Sequence, residues 1–295
     1  MHLLDGSIAS CLKAFLRFAV RSGKTIRFLL LVNVNIFQKL LIFRRTFQRT
    51  STAVVVGLLL LLGGPVWMVL FGPVDLSADW RTASHNTTSQ APNSISHPGA
   101  VVQVYASRAF NWRGAFAVHT WIAAKPPGVP RYTRYEVIGW NLRNRSTSIS
   151  VSDDMPPDAQ WYGVRPRVEL TLHGAEAEEV IARLSAAVSA YPQAERYAAW
   201  PGPNSNTFVA YLAREIPQLH LAMPANAIGK DYLPNDRIIA KAPSGTGYQI
   251  SLFGLFGILV AAVEGIELNV FGLVIGLDVA RPALKLPGIG RLPDW

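Results

Sequence analysis

The chain has 295 residues, half of them apolar, with one cysteine and a formal net charge of +9. A mean hydropathy of +0.21 is greasy for a purely soluble protein and asks for a membrane segment. One cysteine excludes an intrachain disulfide and a cysteine-based metal site, and no P-loop, dinucleotide fingerprint or metal-ligand spacing occurs. The expected cofactor and metal complement is therefore none.

The charge is concentrated at one end. Lys13, Arg17, Arg21, Lys24, Arg27, Lys39, Arg44, Arg45 and Arg49 stand against the single acid Asp5. Such an arm suits anionic lipid headgroups. With an apolar run beside it and no nucleic-acid-reading motif, the expected partner is a lipid bilayer and not nucleic acid. Residues 1–50 read as a basic N-terminal arm, and 12–43 mix apolar runs and cations as an interfacial amphipathic helix does. The competing reading is an upstream extension ahead of the true anchor. Cys11 lies in this arm, far from any candidate site.

Residues 53–71 contain no charge and are just long enough, at about 1.5 Å per residue, to cross a ~30 Å hydrocarbon layer. A single transmembrane helix is expected within 51–73, loosened at Gly63-Gly64-Pro65. Arg44, Arg45 and Arg49 precede it and Asp75 and Asp79 follow. The N-terminus is then cytoplasmic and the remainder extracytoplasmic. A cleaved signal peptide is the alternative. Residues 74–99 read as a polar, mobile linker carrying His85 and His97.

From residue 100 to 295 the pattern is that of an α+β domain with an antiparallel sheet packed on helices. Strands are expected over 100–106, 115–124, 132–140 and 167–172, and helices over 175–190 and 206–216, stopped by Pro192 and Pro217. Residues 250–277 read either as glycine-punctuated buried strands or as a membrane-dipping hairpin.

Two segments carry the candidate chemistry. His119 sits in an expected strand, Val118-His119-Thr120-Trp121. Ser205 sits in Trp200-Pro201-Gly202-Pro203-Asn204-Ser205-Asn206-Thr207-Phe208, a turn running into a helix. A base on a strand facing a hydroxyl at a helix start is an arrangement for acyl transfer. His119 would be the base, Ser205 the nucleophile, and free N–H groups near Asn206 and Thr207 the oxyanion donors. Glu136 on the next strand, or else Asn204 or Asn206, would orient the imidazole. The structural alternative is that Asn204 and Ser205 only cap the helix. Trp161, Tyr162 and Trp200, beside flexible turns, are candidate stacking residues for a cell-wall sugar or lipid; most other tryptophans belong in a core. Lys230, Asp231, Arg165 and Arg167 read as surface or loop-closing charges.

His119-Thr120-Trp121-Ile122, Tyr135-Glu136-Val137-Ile138-Gly139-Trp140, the Trp200–Phe208 run and Ala227-Ile228-Gly229-Lys230-Asp231-Tyr232 resemble a bacterial family known only as domain of unknown function 3750. That resemblance implies a bacterial cell-envelope setting, here an inner-membrane protein with its main domain in the periplasm, and no activity. The order of a histidine strand before an Asn-Ser-x-x-Phe helix start also resembles circularly permuted papain-like proteins, the NlpC/P60 and lecithin-retinol acyltransferase group. This second resemblance implies a permuted papain-like fold acting as an amide or ester hydrolase or acyltransferase, with Ser205 where that group carries cysteine. A non-enzymatic module binding glycan, lipid or a membrane partner is the other expected function.

Overall fold

The computed structural model describes residues 25–293; Cys11 and the arm residues before 25 lie outside them. The chain divides into two units, Met1–Gly57 and Leu58–Trp295. In the first, the described residues are helical. They belong to helix α1, Thr25–Phe71, which continues into the second unit. Its stretch Ile42–Phe71 is the one helix among the described residues long and apolar enough to cross a membrane. α1 runs on through Pro65, so the Gly63-Gly64-Pro65 sequence interrupts no helix here.

The second unit holds two antiparallel sheets. The first has five strands in the order β4-β3-β2-β1-β5. They are β1 (Val101–Arg108), β2 (Val118–Lys125), β3 (Thr133–Val137), β4 (Ile149–Ser152) and β5 (Arg167–His173). Helices α2 (Gly174–Ser189) and α3 (Ser205–Glu215) supply its second layer. Strand alternation sends Val102, Val104, Ala106, Ile122 and Ala124 to the helices, where they pack with Val180, Leu184, Phe208 and Leu212. The opposite face of β1 and β2 carries Val101, Tyr105, Trp121 and Ala123, covered by Tyr132, Ile138 and Trp161. The central strands β1 and β2 are thus buried on both faces, their polar Gln103, His119 and Thr120 included, while β4 and β5 are only partly covered.

The second sheet has seven strands in the order β12-β11-β10-β9-β8-β7-β6. They are β6 (Ile239–Lys241), β7 (Gly247–Leu252), β8 (Phe256–Ala261), β9 (Gly265–Val270), β10 (Leu273–Asp278), β11 (Ala283–Leu286) and β12 (Gly290–Leu292). This decides the nature of residues 250–277: they are strands. They are buried on one face only, and that face carries the sheet's polar groups together with Leu259, Ala261 and Val274. Gln249, Ser251, Glu267, Asn269, Asp278 and Lys285 point inward, while Ile250, Ile258, Val260, Ile266, Leu268 and Leu277 are exposed.

The inward groups are matched to one another. Lys230 Nζ meets Glu267 Oε2 at 2.5 Å and Asp231 Oδ1 at 3.3 Å; Lys285 Nζ meets Glu267 Oε1 at 2.5 Å. Asn269 Nδ2 donates to Asp231 Oδ2 at 2.9 Å and Arg214 Nη2 to Gln249 Oε1 at 2.7 Å. Lys230 and Asp231, expected at the surface, are therefore buried. Their sequence neighbourhood gave no sign of partners that arrive 37 residues later.

Residues 81–99, expected as a mobile linker, are tied to the domain by backbone bonds (Gln160 N–H to Asn86 O and Gly163 N–H to Ser84 O, each 2.8 Å) and by one acid. Asp158 Oδ1 accepts from Thr87 Oγ1 at 2.7 Å, and its Oδ2 from Thr88 Oγ1 at 3.2 Å and from the Gln90 N–H at 2.5 Å. Burial alone would raise the Asp158 carboxyl; these hydrogen bonds outweigh it and hold it below the ordinary range. The strap is polar because Ser, Thr and Asn side chains bond the domain in place of apolar packing.

Candidate functional site

β2 and β3 set His119 and Glu136 side by side. The register pairs Ile122 with Tyr135 and Ala123 with Arg134. Arg134 and Glu136, two apart, consequently share one face with Trp121 and His119. His119 Nε2 is 2.8 Å from Glu136 Oε2, and Arg134 Nη2 donates to the same oxygen at 2.8 Å. All three side chains are buried. The His119 ring lies flat on Trp161, centroids 3.8 Å apart and planes 8° apart, and Arg134 sits over Trp121 at 4.1 Å.

The electrostatics follow from burial and pairing. Burial lowers the His119 imidazole below its usual range, more strongly than Glu136 raises it. Burial would raise the Glu136 carboxyl, but the His119 hydrogen bond and the Arg134 charge outweigh it and lower it. His119 is thus a neutral imidazole beside a carboxylate. A carboxylate accepts only, so Nε2 carries the proton and Nδ1 the free lone pair.

α3 begins beside the start of β2. Asn206 Nδ2 donates to Val118 O at 2.9 Å, and Thr120 Oγ1 donates to Asn206 Oδ1 at 3.0 Å. Asn204 is the N-cap: its Oδ1 accepts from the N–H groups of Asn206 at 2.9 Å and Thr207 at 3.2 Å, and Thr207 Oγ1 accepts from the Asn204 N–H at 3.1 Å. The Asn204 Nδ2 donates to Ala199 O and Ile228 O. Gly229 faces this carboxamide at φ +99°, where any side chain would collide with it.

The sequence-predicted residues are distributed as follows. Glu136 holds the imidazole; Asn204 and Asn206 are spent on the cap and on joining α3 to β2. The N–H groups of Asn206 and Thr207, expected to be free for an oxyanion, are taken by Asn204 Oδ1. Among the described residues, neither the N–H nor the Oγ of Ser205 makes a hydrogen bond, and His119 and Ser205 are not bonded to each other. Thr120 points to α3, and by strand alternation His119 points to the aromatic layer.

His119, Asn204, Ser205 and Asn206 nonetheless line one open cleft of about 1310 Å³. Its walls are largely aromatic: Phe110, Trp112, Trp140, Tyr162, Tyr197 and Trp200 contribute. Arg113 and Arg143 line it as well. Trp112, Trp140 and Trp200, expected among core or isolated platform residues, are each more than half exposed, whereas Trp161 is 7% exposed beneath His119. Trp200 is fixed by its Nε1 donating to Phe271 O at 2.8 Å. Arg134 and Trp140 were not singled out in the sequence. The available signal for Arg134 was its Arg-x-Glu spacing, which places a cation on the same strand face as Glu136.

Residues 99–232 match the model of a family described as Protein of unknown function (DUF3750). That match covers the first sheet, both of its helices and the His119 and Ser205 segments. No match was found among curated proteins or among solved structures.

Proposed function

We propose that this is a membrane-anchored cell-envelope protein whose cleft takes an amphipathic ester or amide and transfers or hydrolyses its acyl group. The observation that carries the reading is the neutral His119, locked by Glu136 and Trp161, on the wall of the cleft that also holds the unbonded Ser205. Perturbed titratable groups meeting at a cleft are what acid–base chemistry requires. In this reading the Ser205 Oγ attacks the carbonyl carbon as its proton passes, through a water in the cleft, to His119 Nδ1, since the imidazole faces the aromatic layer and not α3. The resulting imidazolium is stabilised by Glu136. The carbonyl oxygen becomes an alkoxide held by the Ser205 N–H, the donor that the cap leaves free. Collapse expels the alcohol or amine, which takes the proton from His119, and water or a second alcohol then removes the acyl group by the reverse sequence. The aromatic walls suit acyl chains or rings, and Arg113 and Arg143 suit an anionic headgroup. The fold relationship that accompanies this reading is a permuted papain-like one. The setting is a bacterial inner membrane with the arm inside and the domain in the periplasm, argued from the cations before the helix.

A second reading is binding without turnover, favoured by the cap's use of the Asn206 and Thr207 N–H groups and by the missing His119–Ser205 hydrogen bond. The test is a chromogenic acyl-ester and acyl-amide series on the full chain, with Ser205→Ala and His119→Gln, alongside ligand binding read by tryptophan fluorescence. Turnover lost in both variants with binding kept supports catalysis. Binding without turnover in the parent protein supports the second reading and removes the first.

A further inference from the structure

Along β7–β10 every outward position is apolar: Tyr248, Ile250 and Leu252 on β7, and the matching residues of Phe256–Val260, Ile266–Val270 and Leu273–Leu277. Leu284 extends the face on β11 and Leu292 on β12. The inward positions between them carry the buried charges described above. The sheet's charged groups thus lie inside, beside Leu259, Ala261 and Val274, while its outer face is greasy throughout. Four strands of six residues cover about 19 Å by 20 Å. The face is roughly 400 Å² in projection before β11, β12 and the turn-tip Phe253 and Phe271 are added, a size at which an apolar patch marks an interaction surface.

We infer that this face beds into the lipid bilayer beside α1, so that the protein is held by a helix and by a sheet. Three observations select lipid as the occupant. First, the β11–β12 turn reaches α1 within its apolar span: a side chain at Gly64 would collide with the Pro287 carbonyl, and one at Gly288 with Pro65. Gly64 lies seven residues before Phe71, about 10 Å along the helix axis. The edge of the sheet is thus already at the depth that an interfacial element occupies, roughly 5–10 Å below the headgroups. Second, among the described residues the outward positions of β7–β10 hold no polar group beyond the Tyr248 hydroxyl, the composition that a lipid-facing surface has. Among the described strand residues of this sheet, the only charge at an outward position is Lys241 on the edge strand β6, opposite Tyr248, where a long cation can reach headgroups. Third, the face is continuous with the cleft. Phe271 in the β9–β10 turn and Leu273 at the start of β10 line that cleft and also belong to this face. An amphipathic ligand leaving the bilayer along this sheet would enter the site without crossing water.

The inference rests on α1 lying in a bilayer and not on the His119–Ser205 chemistry. Full-length protein with Cys11→Ser accepts one thiol-reactive environment-sensitive fluorophore at Ile258→Cys or Leu268→Cys. Leu60→Cys reports the helix and Arg183→Cys on α2 reports water. In vesicles of phosphatidylethanolamine and phosphatidylglycerol, nitroxide-bearing lipid should quench positions 258 and 268 several-fold more than 183, and aqueous iodide several-fold less. Circular dichroism confirms that each variant is folded; should Ile258→Cys misfold, Leu268→Cys carries the test. Iodide quenching at 258 and 268 equal to that at 183 overturns the inference. So does protection from iodide without lipid quenching, which identifies a second copy or another protein on the face. Lipid quenching at 60 but not at 258 sinks the sheet alone, and its absence at 60 sinks the anchor as well. Ester turnover by the same variants is read separately, so a failed docking surface and a failed active site are distinguishable.

Discussion

His119 lies face to face with Trp161, ring centroids 3.8 Å apart and planes 8° apart. A flat stack fixes the imidazole plane, and Glu136 fixes its rotation within that plane. The same indole is what dries the ring and lowers its proton affinity. Trp161→Leu should consequently raise the His119 pKa towards the ordinary histidine value near 6.5, as water reaches the ring. It should also cost about 0.5–1.5 kcal/mol beyond the lost apolar area. Imidazole resonances followed through a pH titration, with urea unfolding of the same variant, check both outcomes. An unchanged His119 titration would mean that the indole does not control it.

Among the described residues, Glu136 is the only anion bonded to Arg134, whose Nε and Nη1 have no hydrogen-bond partner there. Removing the carboxylate charge leaves a buried guanidinium without compensation. Glu136→Gln should destabilise the domain by roughly 3–5 kcal/mol, measured as a fall in the urea midpoint. Arg134→Met with Glu136→Gln should recover part of that loss, because the uncompensated charge is then gone. A double variant as unstable as the single would assign the cost to lost shape and not to charge.

The same two residues set an acid limit. Both folded pKa values are lowered, so in each window the unfolded chain binds more protons and stability rises with pH. The His119 contribution is complete above about pH 6.5 and is lost as the pH falls towards its folded value; the Glu136 contribution is complete above about pH 4.3 and is lost below that. Stability should therefore begin to fall near pH 6.5 and fall further below pH 4.3. His119→Gln should flatten the upper part of this profile and leave the lower part. Thermal unfolding at a series of pH values tests it, and an upper slope unchanged by His119→Gln would refute the assignment.

The first sheet and its helices were legible because their chemistry is local. Val, Ile and Trp runs between proline and glycine turns gave β1, β2, β3 and β5, and the helical spacing of Val180, Leu184 and Val188 gave α2. β4 was not legible: Ile149–Ser152 is a four-residue edge segment with two serines, and it is a strand only because Tyr135 and Val137 offer it a ladder. At the site, Glu136 could be named from the strand order, but the fate of the Asn206 and Thr207 N–H groups could not, since the Asn204 side chain that reaches forward two and three residues looks the same in sequence whether it caps or waits for substrate. The greasy outer face of the second sheet was hidden for a related reason. Alternation in Glu264–Val270 fixes a strand and leaves open which face is wet. Lys230 and Lys285, far apart in the chain, make the polar side the inner one.

Asn204 offers a test of how far the site depends on its cap. Its side chain accepts two helix N–H groups and donates to two loop carbonyls, from Ala199 and Ile228. Asn204→Ala should cost the upper part of the 0.5–2 kcal/mol range for a lost N-cap, because the carbonyls are also left unpaired. Asn204→Asp should restore the acceptor for the helix N–H groups and fail to restore the donors, giving an intermediate loss. Urea unfolding ranks the three proteins, and an aspartate variant no better than alanine would show that the loop carbonyls, not the helix start, are what Asn204 secures.

The buried triad of Lys230, Glu267 and Lys285 holds the second sheet from its inner side, with both lysines bonded to one carboxylate. Glu267→Gln should leave two cations in a dry environment and cost roughly 3–5 kcal/mol. Glu267→Leu with Lys285→Met removes one buried pair of charges together, keeps the Lys230–Asp231 pair, and should cost far less, because most of the penalty for the single change is uncompensated charge. The outward face offers a control in the opposite sense. Leu268→Ser, one residue along β9, exchanges an exposed apolar side chain for a polar one and leaves the triad intact. In detergent-free buffer its unfolding midpoint should move by less than the Glu267→Gln midpoint, while its partition into vesicles falls. Equal losses of stability from the inward and outward changes would contradict the division of labour between the two faces.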